Sequence, residues 1–173
     1  MLKIIGMLIV IVTSTGVGFY IPRLHKNKIE FLMDIRQSFC LLKNEINYAV
    51  NTIVVSFFNI QEKASNQYVK QFFYDMYEHL QNKDGISLKN IWEKGVNDLL
   101  YKEKINESEA RHIKTFGNSL GYLDKEQQLR NIDFLVEGLD EIILKHKENH
   151  EKHSKLYSRM GILVGLMVAI VML

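Results

Sequence analysis

The chain has 173 residues, enough for one ordinary domain with short additions. It carries 22 Lys and Arg against 20 Asp and Glu, a balance that gives no electrostatic case for binding nucleic acid. Its single cysteine excludes a disulfide framework and a zinc knuckle, and its single proline permits long uninterrupted helices.

The first predicted element is an apolar helix. Residues 4–21 contain no charged side chain, and a helix of that length spans about 27 Å, close to the thickness of a bilayer core. No convincing small-x-small cleavage site follows, so we interpret the segment as a retained anchor rather than a signal peptide. Residues 1–22 are therefore predicted to form an N-terminal transmembrane helix.

The middle of the chain, residues 23–155, is predicted to form a compact bundle of six helices, because its apolar residues recur at helical spacing almost throughout. The first helix is expected over about 24–50, the second over 52–64 and the third over 66–82. Side chains typical of N-caps precede four of the six helices. These caps are Asn51 or Thr52 for the second helix, Ser87 for the fourth, Asn106 with Glu109 for the fifth, and Asp124 for the sixth.

The sixth helix has no breaker before the chain ends. Residues 161–173 are uncharged and reach about 20 Å as a helix, which is short for a full span unless Arg159 extends to the headgroups. Residues 156–173 are predicted to form a C-terminal transmembrane helix. The predicted fold is thus all-α, a six-helix bundle tethered by one transmembrane helix at each end.

Flanking charge predicts the orientation of the bundle. Basic residues follow the first apolar segment and precede the second, so the positive-inside rule places residues 22–159 in the cytosol. Small residues lie four apart in each segment, Ser14 with Gly18 and Gly161 with Gly165. Such pairs favour close packing of helices in lipid, although glycine is also simply common in transmembrane helices.

The apolar residues of the sixth helix recur in steps of three and four and form a seam, at Leu129, Ile132, Val136, Leu139 and Ile143. The next positions in that seam are three histidines, His146, His150 and His153. Histidines on one helix face can coordinate a metal or respond to pH. The simpler interpretation is a solvated stem, because no Asp, Glu or Cys joins the stripe as a clear further ligand. We therefore assign no metal site.

No nucleotide-binding, metalloprotease or nucleophile-elbow motif occurs in the chain. Trp92 and the aromatic residues around it lie at helical spacing, which favours a core position over a ligand cage. Glu45 lies beside an apolar stripe and is interpreted as an acid that bridges helices or lies on the surface. The sequence predicts no catalytic residue and no cofactor.

Several strings, taken in order along the whole chain, resemble the stage III sporulation protein AB family of endospore-forming bacteria. Residues 42–48 match the pattern Leu-x-x-Glu-Ile-x-Tyr, which contains Glu45 and Tyr48, and Trp92 matches a family tryptophan. The most specific stretch is 116–121, followed by an aspartate, with the motif residues Phe116, Gly117, Leu120, Gly121 and Asp124. One departure is that Thr52 is followed by Ile53 where family members often have proline.

The family is similar to the cytoplasmic helical domain of the inner-membrane platform proteins of type II secretion and type IV pilus systems. The resemblance implies a non-enzymatic scaffold in the channel complex between mother cell and engulfed forespore, lying in the mother-cell membrane around the forespore. Its expected partners are a secretion-type ATPase, stage III sporulation protein AA, and the other membrane subunits, with no nucleic acid and no small-molecule substrate. The alternative function is a membrane-anchored sensor whose histidine-lined stem responds to metal or pH. Within the motif, we favour structural roles over contact roles.

Overall fold

The computed structural model describes residues 2–49, 52–82, 85–102, 104–118 and 124–171. Side chains are described from residue 23 to 48 in the first range and from residue 124 to 152 in the last, with a few beyond these limits. Over the described ranges the chain is helical and contains no strand, which confirms the predicted all-α class.

Six α-helices follow one another in the predicted order within the described residues. The first, α1, runs directly into a π-helical turn at Glu45–Ala49. The helices are α1 Leu2–Asn44, α2 Ile53–Lys63, α3 Gln67–Asn82, α4 Leu88–Tyr101, α5 Glu107–Gly117 and α6 Lys125–Val171.

The predicted N-caps are confirmed where the structure describes them. Thr52 and Ser87 accept hydrogen bonds from backbone N–H groups of α2 and α4 at 3.5 and 3.3 Å. Asn106 and Glu109 form both arms of a capping box, which satisfies two N–H groups at the start of α5. Asn51, the other candidate for α2, lies outside the described residues.

Two boundaries differ from the sequence prediction. The first helix closes in a π-helical turn instead of an ordinary α-helical end. The sequence favours Gly121 as the C-terminal residue of the fifth helix. Within the described residues α5 ends at Gly117, where Asn118 turns its N–H back to the Thr115 carbonyl at 3.3 Å. Glycine and asparagine are weak helix formers, which favours an early end at this point.

The chain divides into two compact units, of which residues 31–143 form the larger. In that unit α2 packs on α3, α3 on α4 and α4 on α5. Its core is an aromatic cluster whose rings lie 5.0–6.4 Å apart at mostly tilted or edge-on angles, formed by Phe39, Phe57, Phe72, Phe73, Trp92 and Phe116. Each fully buried phenylalanine contributes about 1.5–3 kcal/mol to folding.

Two ion pairs join α1 to α6 inside the larger unit. Arg36 holds Asp140 through two hydrogen bonds, at 2.5 and 2.9 Å, and Lys43 binds Asp133 at 2.5 Å. The hydrogen bond with Asp140 raises the pKa of Arg36 above its usual value, so the guanidinium stays charged wherever the protein is folded. Both pairs are half-exposed, so each contributes at most about 1 kcal/mol.

The smaller unit contains residues 1–30 and 144–173, and its described residues are helical. Among the residues that the structure describes, no helix is long and apolar enough to cross a membrane. Most side chains of the two apolar segments lie outside the described set. The transmembrane helices at 1–22 and 156–173 stay predictions.

Candidate functional site

Trp92 occupies the centre of the larger unit, and the residues around it are shaped to receive its indole ring. The ring has no exposed surface, and its Nε1–H donates a hydrogen bond to the Ile113 carbonyl at 3.0 Å. Phe116 packs against it with ring centroids 5.3 Å apart. A Cβ atom at Gly117 would overlap the indole ring. Trp92, Phe116 and Gly117 therefore lock α4 to α5 and are not available to a partner.

Glu45 and Tyr48 lie on the π-helical turn that ends α1 and behave differently. The Glu45 side chain is mostly buried, accepts a hydrogen bond from Asn59 Nδ2 at 3.0 Å and lies 3.8 Å from Lys63 Nζ, so it joins α1 to α2. Tyr48 is 80% exposed. Single π-helical turns occur often at functional sites. Among the described motif residues, Tyr48 therefore presents its side chain to solvent.

The N-terminus of α6 lies against the same turn. Asp124 caps α6 by accepting the Gln127 N–H at 2.8 Å. The next residue, Lys125, donates to the Asn47 carbonyl at 2.7 Å. This part of the motif therefore fixes where α6 begins and holds it to the end of α1.

Several predicted residues lie outside the description. Leu120 and Gly121 belong to the undescribed stretch between α5 and α6, and the side chains of Ser14, Gly18, Gly161 and Gly165 are likewise not described. Close packing through the small residues of the apolar segments stays a prediction.

The histidine stripe is described in part. His146 and His150 are half-buried, and Nδ1 of His150 is buried without a hydrogen-bond partner. The side chain of His153 is not described. Across the described residues, His, Cys, Asp and Glu nowhere form a group of three that could hold a metal ion.

A cavity of about 90 Å³ opens between α5 and α6, lined by His112, Thr115, Phe116, Asn131, Phe134 and Leu135. Phe134 is among these lining residues and is 65% exposed. A second cavity, of about 200 Å³, lies between α3 and α4. Its wall mixes Asp75 and Asp98 with Lys94 and His79, so it presents no single charge or apolar surface to a ligand.

Comparison with known proteins gives a full-length match. The profile of the stage III sporulation protein AB family aligns with residues 3–173. The chain belongs to this family. It is similar to the stage III sporulation protein AB of Bacillus subtilis (strain 168), with 23% identity over 179 residues and an alignment that covers all of both chains. No solved structure matches it.

Membership of the stage III sporulation protein AB family indicates a role in sporulation. The family profile spans the two apolar ends as well as the helical middle. Both ends therefore belong to the protein that the family describes and are not additions peculiar to this chain.

The α5–α6 cavity was not anticipated from the sequence. His112 and Phe134 carry no motif, and both lie on helices whose apolar stripes could be drawn without them. The available signal was Phe134 itself, which falls between Ile132 and Val136 and off the predicted seam of α6. An exposed aromatic residue beside a cavity is typical of a contact surface, whereas an isolated one is not.

Proposed function

We propose that this protein is a non-enzymatic platform subunit of the channel complex between mother cell and forespore. In this proposal it lies in the mother-cell membrane around the forespore, with residues 1–22 and 156–173 as transmembrane helices. Residues 23–155 face the mother-cell cytosol as a helical bundle. The bundle docks the secretion-type ATPase, stage III sporulation protein AA, and contacts the other membrane subunits of the complex.

The observation that carries the proposal is the full-length match to the stage III sporulation protein AB family on an all-helical chain. The uncharged segments 4–21 and 161–173 support the tethers, because a helical 4–21 would reach about 27 Å. The basic residues that flank both segments support a cytosolic middle.

The polar groups inside the bundle support a scaffold rather than an enzyme. The buried polar residues of the described chain are Ser38, Ser56, Gln61 and Glu109. Each makes a local hydrogen bond to its own or a neighbouring turn, at 2.8–3.0 Å. Three of these bonds involve backbone groups of a helix turn or cap, and Gln61 donates to the side chain of the adjacent Glu62. Catalytic sites instead bring such groups together in a cleft around reacting atoms.

The test is an in-frame deletion of the gene in its own host, scored by microscopy and by counts of heat-resistant spores. We expect arrest after complete engulfment with normal vegetative growth, because the channel complex acts only at that stage. Complementation with the unsubstituted gene controls for effects on neighbouring genes. Heat-resistant spores at the normal frequency in the deletion strain would contradict the proposal.

A further inference from the structure

The surface between α5 and α6 combines a cavity with an exposed aromatic residue. Phe134 projects at the edge of the cavity, while Thr115 and Asn131 add polar groups to its wall. Protein interfaces concentrate their binding energy where an apolar side chain fills such a pocket beside an aromatic residue. A cavity of about 90 Å³ is smaller than an engineered cavity that holds benzene, and it suits one branched aliphatic side chain.

The cavity wall is held in place before any partner arrives. His112 reaches from α5 to the Leu135 carbonyl of α6, with Nε2 at 3.0 Å from the oxygen. A carbonyl only accepts, so Nε2 carries the proton and donates. The ring lies over Gly138, where a Cβ atom would overlap it. A pocket with a fixed wall loses little side-chain entropy on binding.

Two carboxylates continue this surface along α6. Glu137 and Glu141 follow Phe134 by three and seven residues, so all three lie on one face of the helix. Both are exposed, and neither forms a hydrogen bond or ion pair with a side chain that the structure describes. Like charges four residues apart on a helix repel each other slightly. A basic side chain placed against them would relieve that repulsion.

We propose that the α5–α6 surface, defined by the cavity, Phe134, Glu137 and Glu141, binds a segment of the docked ATPase. This inference rests on the proposed function. The chemistry of the surface selects a segment with an aliphatic anchor for the cavity and Lys or Arg one to two turns further on. The two carboxylates beside Phe134 distinguish this surface from the α3–α4 cavity, whose wall mixes acidic and basic side chains.

The test measures the affinity of the full-length chain in detergent for purified stage III sporulation protein AA of the same host. Phe134→Ala is expected to weaken binding at least about tenfold, as loss of an interface anchor does. Glu137→Lys combined with Glu141→Lys is expected to weaken it similarly and to abolish its dependence on salt concentration.

Matched controls carry the same chemical changes elsewhere on the bundle. Tyr101→Ala removes an aromatic side chain that is 89% exposed on α4, and Glu78→Lys with Asp98→Lys reverses two exposed charges on α3 and α4. Both controls are expected to bind like the unsubstituted chain. Unchanged fluorescence of the buried Trp92 verifies that each variant is folded.

The outcomes separate the two proposals. Tight binding by the unsubstituted chain and equally tight binding by the Phe134 and Glu137–Glu141 variants overturns the surface and leaves ATPase docking intact. Loss of binding in the controls as strong as in the variants also overturns it. No binding by the unsubstituted chain overturns ATPase docking, and the surface with it.

Discussion

The indole ring of Trp92 occupies the space that a side chain at Gly117 would fill. The indole ring packs directly over the Cα of Gly117, and the ring nitrogen is fixed by the Ile113 carbonyl one turn earlier in α5. The ring cannot move away from Gly117 without losing that buried hydrogen bond. The contact therefore couples the register of α4 to that of α5.

Gly117→Ala is expected to destabilise the bundle by about 1–2 kcal/mol, because overpacking against a rigid ring costs more than the helix gains from alanine. The measurement is denaturant unfolding of the full chain in detergent, followed by Trp92 fluorescence. Gly16→Ala is the matched control, since a Cβ atom there meets nothing within 4 Å. An equal stability of the Gly117 variant and the unsubstituted chain would show that the indole site is adaptable.

At the scale of the elements, the residues that cap the first turn of a helix are either close to it in sequence or distant from it. The capping box of α5 and the Asp124 cap of α6 use residues three apart, so the sequence alone predicts them. Helix α3 has both kinds of cap: Asn66 accepts the Tyr68 N–H at 2.9 Å, and a residue of α1 supplies a second, distant acceptor. Asp34 on α1 accepts the backbone N–H groups of Ser65 and Asn66 at 3.2 and 2.8 Å, across more than thirty residues of chain. Local patterns carry no information about such a partner.

Asp34→Ala is expected to lower the free energy of unfolding by about 1–3 kcal/mol, because two backbone donors lose a charged acceptor. Asp34→Asn keeps one acceptor oxygen and is expected to lose less. Unfolding curves of both variants check this order, with Asp75→Ala as control, because Asp75 accepts a hydrogen bond from Gln71 of its own helix. A loss in the control equal to that in Asp34→Ala would show that the distant cap adds nothing.

The π-helical turn is a second element-scale feature that the sequence did not predict. Apolar spacing continued through residues 45–49, and one extra residue per turn leaves no mark on that pattern. The turn directs Glu45 inward to α2 while Tyr48 faces out. The sequence singled out both residues, but only the backbone geometry assigns them opposite roles.

At the scale of the whole molecule, the apolar periodicity predicted the number and order of the helices, because the period of each amphipathic segment can be read from its local sequence alone. It did not predict which helices are neighbours. The pairing of α1 with α6 through Arg36 and Asp140 joins residues 104 positions apart, and no local pattern encodes that contact. The cavity between α5 and α6 depends on the same tertiary arrangement and was missed for the same reason.

The proposed tether predicts how the whole chain behaves in cells. We expect it in the membrane fraction, resistant to alkaline wash and released by detergent, because two apolar segments flank the bundle. Half-exposed Cys40 is the single cysteine and reports the orientation. A membrane-impermeant thiol reagent should label it only after the cells are opened.

Tyr101→Cys serves as the accessibility control for that labelling, since its position is 89% exposed on the bundle. Labelling of intact cells at either cysteine would place the bundle on the opposite side of the membrane. Recovery of the chain in the soluble fraction would contradict the proposed membrane tether.

The burial of Trp92 has a practical consequence. It is the only tryptophan in the chain. Residues of four other helices contact it, namely Phe39, Phe57, Phe72, Ile113, Phe116 and Gly117. Its emission therefore reports the hydration of one point, the junction of α1, α2, α3, α4 and α5. Detergent, lipid or a tryptophan-free ligand added to the chain leaves that spectrum unchanged unless the junction opens. The protein carries its own optical probe of bundle integrity, without any label.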